Sequence, residues 1–431
     1  MALGLFATSV NAQKVDFTEF NLDNGLHVVL HQDKTAPVVA VSVMYHVGSK
    51  NEDTARTGFA HFFEHLLFEG TKNIKRGEFF KLVSANGGQN NANTSQDRTF
   101  YYEVFPSNQL ELGLWLESER MMHPIINEVG VRTQNEVVKE EKRLRVDNQP
   151  YARFAGEIFS RLFSNHGYRW QPIGSMEHLD AAKLQEFQDF FKKYYVPNNA
   201  VLTIAGDIDV EKTRGLVKQY FSDVSKGAPI AYVKAGEKPI TKPIVDTAYD
   251  PNIQLPAIMA AYRTPGFTAR ESKVMGLISS YLSGGASSKL YKKMVDEKKN
   301  ALQVGALNYS LEDYGAYITF ALPNNNTPLN TLLKDIDDEI VAVQNNLISQ
   351  SDYQKLMNQA ENNYVTTNSR MLGVAENLAN GYTFHKNTGY INNELTETKS
   401  ITREEIRNAA KKFLNPNQRV ILYYLPAPST K

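Results

Sequence analysis

A chain of 431 residues has room for about two or three domains with sizeable cores. Its 47 basic and 47 acidic residues cancel, so nothing draws it in bulk to nucleic acid or to an anionic membrane surface. No apolar run reaches the ~18–20 residues of a membrane-spanning helix. Cysteine is absent, which excludes a cysteine nucleophile and leaves nitrogen and oxygen as the only metal ligands.

The first residues, Met1–Gln13, read as the end of a secretory signal. Small residues at Val10 and Ala12 suit a signal peptidase, with the mature protein starting near Gln13 or Lys14. The basic leading segment of such a signal is missing, so residues 1–13 are expected to be its remnant and the protein to be periplasmic or secreted in a bacterium. The lack of cysteine is compatible with that compartment. Apolar runs at Leu26–Leu30 and Val38–Val47 then predict strands.

The next segment, Gly58-Phe-Ala-His-Phe-Phe-Glu-His-Leu-Leu-Phe-Glu-Gly70, is the most informative in the chain. On a helix, His61 and His65 are four residues apart and stack on one side, so both imidazoles reach one point. Glu64 lies about 60° around from His61, on the flank of that face. Two nitrogen ligands with a carboxylate beside them suit zinc and the handling of a water proton, in the inverted order H-x-x-E-H. Composition alone gives about one such match per hundred chains of this kind. The alternative is a buried helix whose histidines are satisfied by neighbours. Phe59, Phe62, Phe63, Leu66, Leu67 and Phe68 do leave the helix apolar nearly all round. Two histidines and a glutamate on such a helix are costly unless something pairs them, and a metal does so best.

Gly87 and Gly88 open a Gly/Asn-rich turn that runs through Asn91, Ala92 and Thr94 into the strand-like stretch Asp97–Glu103. Further on, Gln134–Arg145 reads as an amphipathic helix. Stepping 100° per residue puts Glu141 on the face of Val137, Val138 and Leu144, while Glu136 and Glu140 fall on the solvated sides. Glu141 is therefore the acid expected to point inward, either as a third metal ligand or as a buried carboxylate paired to Arg145.

His61, Glu64 and His65, with a glutamate 76 positions beyond the second histidine, resemble the pitrilysin/insulinase-type zinc peptidases, and most closely their processing-peptidase-like branch. The resemblance implies that His61, His65 and Glu141 bind Zn2+ and that Glu64 is the general base. It also implies that the segment after Gly88 is an edge strand gripping extended peptide, with Asn91 and Ala92 beside the scissile bond. A free strand edge can hold a peptide through main-chain hydrogen bonds whatever its side chains.

An internal repeat organises the rest. Lys192–Ile204 lines up with Lys411–Tyr423 at an offset of 219, and Thr99–Pro106 with Ala316–Pro323 at 217. The expectation is two related α+β domains, residues 14–224 and 244–431, joined by an extended Pro/Gly/Lys-rich linker at 225–243. The second lacks the metal ligands: the stretch equivalent to the histidine motif, Val274–Ser283, holds no histidine or acid. A Gly284–Tyr291 turn follows.

Active family members place an arginine and a tyrosine just beyond that turn, where this chain has Val295 and Leu302. The resemblance therefore implies a heterodimer with a paralogous subunit that supplies the pair, a homodimer being possible. The function expected is a zinc-dependent endopeptidase cleaving extended or unfolded peptides. The alternative is a catalytically weak peptide-binding or structural subunit of a larger complex.

Overall fold

The computed structural model describes residues 14–428 apart from position 233, so the signal-like segment lies outside the described residues. Among the described residues, eleven strands form two sheets. The first contains β1 (Thr18–Asn21), β2 (His27–Gln32), β3 (Val38–Tyr45), β4 (Gln89–Thr94), β5 (Thr99–Pro106) and β6 (Ala200–Gly206). The second contains β7 (Ile244–Asp250), β8 (Ala257–Pro265), β9 (Ala301–Ser310), β10 (Tyr314–Pro323) and β11 (Arg419–Pro426).

The spatial orders, β1-β2-β6-β3-β5-β4 and β7-β11-β8-β10-β9, are the same plan once β1 is set aside. In each sheet the late strand (β6 or β11) runs parallel to the first and antiparallel to the next, and a hairpin completes the far edge. The repeated sequence segments fall on matching pieces: one on β6 and β11, the other on β5 and β10.

β3 and β6 are buried along almost their whole length, as expected of strands covered on both faces. Helices of the same half cover one face, where Phe62, Phe63, Val43, Tyr101 and Phe187 share a core. The other face is covered from the second half. Val374 and Leu378 of the helix Met371–His385 pack against Val29, Met44, Phe100 and Val201.

The converse also holds: Ile158, Phe159 and Leu162 of the helix Phe154–Leu162 pack against Ala257, Met259, Ile318 and Leu422 of the second sheet. These two helices start 217 residues apart, at 154 and 371, so the repeat extends to a reciprocal exchange. Each half buries the back of the other's sheet.

Residues 225–243 carry no helix or strand among those described, yet they are tied down. Glu237 accepts hydrogen bonds from the backbone N–H groups of Ser164, Asn165 and His166 at 3.1, 2.7 and 2.7 Å, and pairs with Arg263 at 3.2 Å. At the junction of the halves, the buried Lys50 ammonium meets Asp97 at 3.0 Å, Asp313 at 3.3 Å and Glu312. His46 and His166 reach Glu312 and Asp313 from the first half at 2.8 and 3.0 Å.

Candidate active site

The histidine motif forms the helix Phe59–Leu66, shorter than the apolar run around it. Its first turn is fixed from outside. Gly58 turns the chain at φ +100°, and a Cβ there would stand 3.0 Å from the Ile173 carbonyl. Glu52 then supplies the cap: its carboxylate accepts from the backbone N–H of Gly58 and of Ala60, both at 2.8 Å, and from Trp170 Nε1 at 3.0 Å. Burial pushes the Glu52 carboxyl up to about 8, against these three donors, which favour the anion.

Tyr101 donates to the Phe63 carbonyl at 2.9 Å and Tyr195 to that of Ala60 at 3.3 Å. With Phe59, Phe62, Phe63 and Leu66 in the core, the helix has little freedom to rotate.

His61 and His65 lie side by side, ring centroids 4.9 Å apart. Glu141 reaches them from the helix Glu128–Lys142, with Oε2 at 3.5 Å from His61 Nε2 and 3.1 Å from His65 Nε2. One donor atom from each of the three residues lies within 4.8 Å of the other two. Ligands about 2.0–2.1 Å from one tetrahedral ion stand roughly 3.3 Å apart, so these separations fit a shared cation. Glu141 Oε2 is buried, and no donor is aligned to it among the described residues.

The other oxygen, Oε1, pairs with Arg145 at 2.8 Å, so Glu141 meets the arginine on one side and the two histidines on the other. His65, with His61 and Arg145, holds the Glu141 carboxyl below its ordinary range against the opposing effect of burial. Burial, reinforced by His65, pushes His61 down to about 4, which keeps the ring neutral and free to donate a lone pair. For Glu64, burial raises the carboxyl above its ordinary range, with Thr94 and His65 pulling the other way.

The face expected of the glutamate helix is corrected in part. Val138 is fully buried, but Val137 and Leu144 are 44% and 56% exposed. The helix widens into a π turn at Arg143–Asp147, which ends the 100° stepping before Leu144. Glu141 thus stands where the core gives way to the open side.

β4 lies at the free edge of its sheet, paired with β5 alone. Gly88 leads into it, and a Cβ there would run into the Phe105 ring at 2.3 Å. Asn91 is exposed along this edge, whereas Ala92 is 7% exposed and joins the core around the histidine helix. The two alternate between opening and core as neighbours on a strand must. Sequence reasoning missed Glu52, Tyr101 and Tyr195, and placed Thr94 in the peptide-gripping segment without its role beside Glu64. Only Glu52 left a local trace, an acid six residues before the turn at Gly58.

Residues 27–170 match the family model described as insulinase (peptidase family M16), and residues 181–360 that of the peptidase M16 inactive domain. The zinc protease PqqE of Helicobacter pylori is 32% identical over 340 residues, covering 78% of this chain and 76% of that protein. The uncharacterized zinc protease YmxG of Bacillus subtilis is 24% identical over 413 residues, or 94% and 97% of the two chains.

Among solved structures, a protease from Helicobacter pylori superposes with a TM-score of 0.90 at 28% identity, over 96% of this chain and all of that one. The periplasmic protease PqqL from Escherichia coli shares the fold, with a TM-score of 0.76 at 18% identity over 96% of this chain and 48% of that one. This chain belongs to the M16, pitrilysin/insulinase-type, family of peptidases.

Proposed function

We propose that the chain is a zinc-dependent endopeptidase acting on extended or unfolded peptides. The observation that carries this reading is the convergence of His61, His65 and Glu141, from two separate helices, on one point beside Glu64. The orphaned Glu141 oxygen and the neutral His61 ring suit a divalent cation better than they suit each other.

Bound there, zinc would supply a Lewis acid that polarises the scissile carbonyl and acidifies a water. His61, His65 and Glu141 would hold the ion, and Glu64 is placed to take a proton from a water attacking the carbonyl carbon and to return it to the amine nitrogen as the C–N bond breaks. The raised Glu64 carboxyl suits an acid–base group that must both accept and release a proton. The free edge of β4, along which Asn91 is exposed, holds the peptide extended across the site by adding it as a further strand.

The partner reading follows from what stands in the second half. Val295 lies on the π turn Tyr291–Glu297, and Leu302 is 53% exposed near the start of β9. Neither side chain can donate a hydrogen bond to a developing oxyanion, so a paralogous subunit is proposed to supply an arginine and a tyrosine. These same two residues favour the second reading, a catalytically weak peptide-binding subunit. Val10 and Ala12, which suit a signal peptidase, support a periplasmic or secreted site of action.

Hydrolysis of quenched fluorescent peptides by the zinc-loaded protein, alone and with such a paralogue, tests the proposal, with Glu64→Gln as the control. Cleavage that depends on Glu64 supports the peptidase. Peptide binding without cleavage in either setting favours the second reading.

A further inference from the structure

The β4–β5 hairpin turns at Ser95–Arg98 and the β9–β10 hairpin at Leu311–Asp313, and the two tips meet: the Glu312 N–H donates to Asp97 at 2.9 Å. Beside this contact opens a cavity of about 540 Å³, lined from both halves by Gln96, Arg98, Lys273, Asn308, Phe384 and Glu394. None of His61, Glu64, His65 or Glu141 lines it.

The wall carries unpaired polarity. Gln96 is 1% exposed, yet neither its amide oxygen nor its amide nitrogen has a hydrogen-bond partner among the described residues. The Asn308 amide nitrogen donates to the Ser272 carbonyl at 3.1 Å, but its oxygen is orphaned in the same way. Such groups are costly when left unpaired. Together they offer a donor and two acceptors, which a peptide group with its own N–H and C=O can satisfy.

The charges of the wall are unequal. Arg98 is neutralised by Glu376, and Lys273 by Glu397. Glu394 forms no ion pair among the described residues, and burial pushes its carboxyl above the ordinary range.

Position supplies the link to the reaction. β4 ends at Thr94, beside Glu64, and the chain continues directly into Ser95 and Gln96. An extended peptide on the free edge of β4 therefore runs toward the hairpin tip beside which the cavity opens.

We propose that this cavity is a subsite for peptide substrates, in which Gln96 and Asn308 hold a peptide group and Glu394 receives a lysine or arginine side chain. The proposal rests on the peptide-binding reading above and adds to it a preference for a basic residue at a fixed distance from the scissile bond.

The test uses zinc-loaded Glu64→Gln protein and fluorescent peptides in which a single lysine is moved stepwise along a neutral sequence, with affinity read by anisotropy. One lysine position should bind about tenfold more tightly than its glutamine counterpart, and adding Glu394→Gln should erase that gain while leaving the glutamine peptide unchanged. Adding Gln96→Leu should weaken long peptides about tenfold and truncated ones not at all. Zinc content and thermal melting confirm that each variant is folded, and Glu394→Gln decides the matter if Gln96→Leu is not. Peptide binding without any position-specific lysine preference, or with a preference Glu394→Gln does not alter, overturns the subsite alone. Absence of all peptide binding overturns the peptide-binding reading with it.

Discussion

The carboxylate of Glu52 accepts the backbone N–H of Ala60 at 2.8 Å, closing the first turn of the helix on which His61 is the next residue. A cation site tolerates little displacement of its ligands, so on the proposed zinc reading this cap should govern metal affinity as well as folding. Glu52→Ala should lower stability by about 1.5–3 kcal/mol and weaken zinc binding at least tenfold. Glu52→Gln, which keeps one acceptor oxygen, should fall between. Urea denaturation and competition with a zinc chelator measure the two effects.

Asp313 gives the junction of the halves a pH dependence. Burial pushes its carboxyl up, but His166 and Lys50 outweigh that and hold it at about 2. A depressed carboxyl contributes stability that is present above the unfolded value near 4 and is lost as pH falls toward 2. Asp313→Asn should therefore cost about 2 kcal/mol at neutral pH, with the difference from the parent chain vanishing between pH 4 and 2. Denaturant titrations across that range check it. A constant difference down to pH 2 would show that the Asp313 charge is not responsible.

The exchanged helices make the halves interdependent. Expressed alone, residues 14–243 should leave Val29, Met44 and Phe100 uncovered, and residues 244–428 should leave Met259, Ile318 and Leu422 uncovered. Each should aggregate or lack fixed tertiary packing, by size-exclusion chromatography and near-UV circular dichroism. Co-expression should restore a folded pair.

What could be read in advance follows how local each feature is. His61, Glu64 and His65 share one helical turn, so their spacing carries their geometry. Glu141 was found by helical stepping although two of its three supposed face-mates, Val137 and Leu144, proved exposed. Val138 alone holds that face to the core, and the π turn lies beyond regular periodicity.

The paired sheet plan was visible through the repeat at 217 and 219. The reciprocal exchange was not, because an amphipathic helix such as Phe154–Leu162 shows that it buries a face and says nothing about against which sheet. Glu52, Lys50 and Glu237 act across loops, and no sequence period marks such contacts.

Activity should depend on a second chain. If a partner supplies the arginine and tyrosine, as proposed, the lone protein is expected to cleave slowly. A paralogue bearing that pair should raise kcat/KM by about 10²–10³, the usual worth of an oxyanion donor. Steady-state rates at increasing partner concentration would show it. A lone chain as fast as the mixture would remove the need for a partner.

Metal stoichiometry is the most direct measure of the central claim, that two imidazoles and a carboxylate from two helices form one zinc site beside a catalytic glutamate. The parent chain and Glu64→Gln should each carry one zinc per chain by elemental analysis after dialysis, and Glu141→Gln, His61→Ala and His65→Ala should carry little. Folded parent protein that takes up no zinc, or ligand variants that retain it in full, would contradict the account.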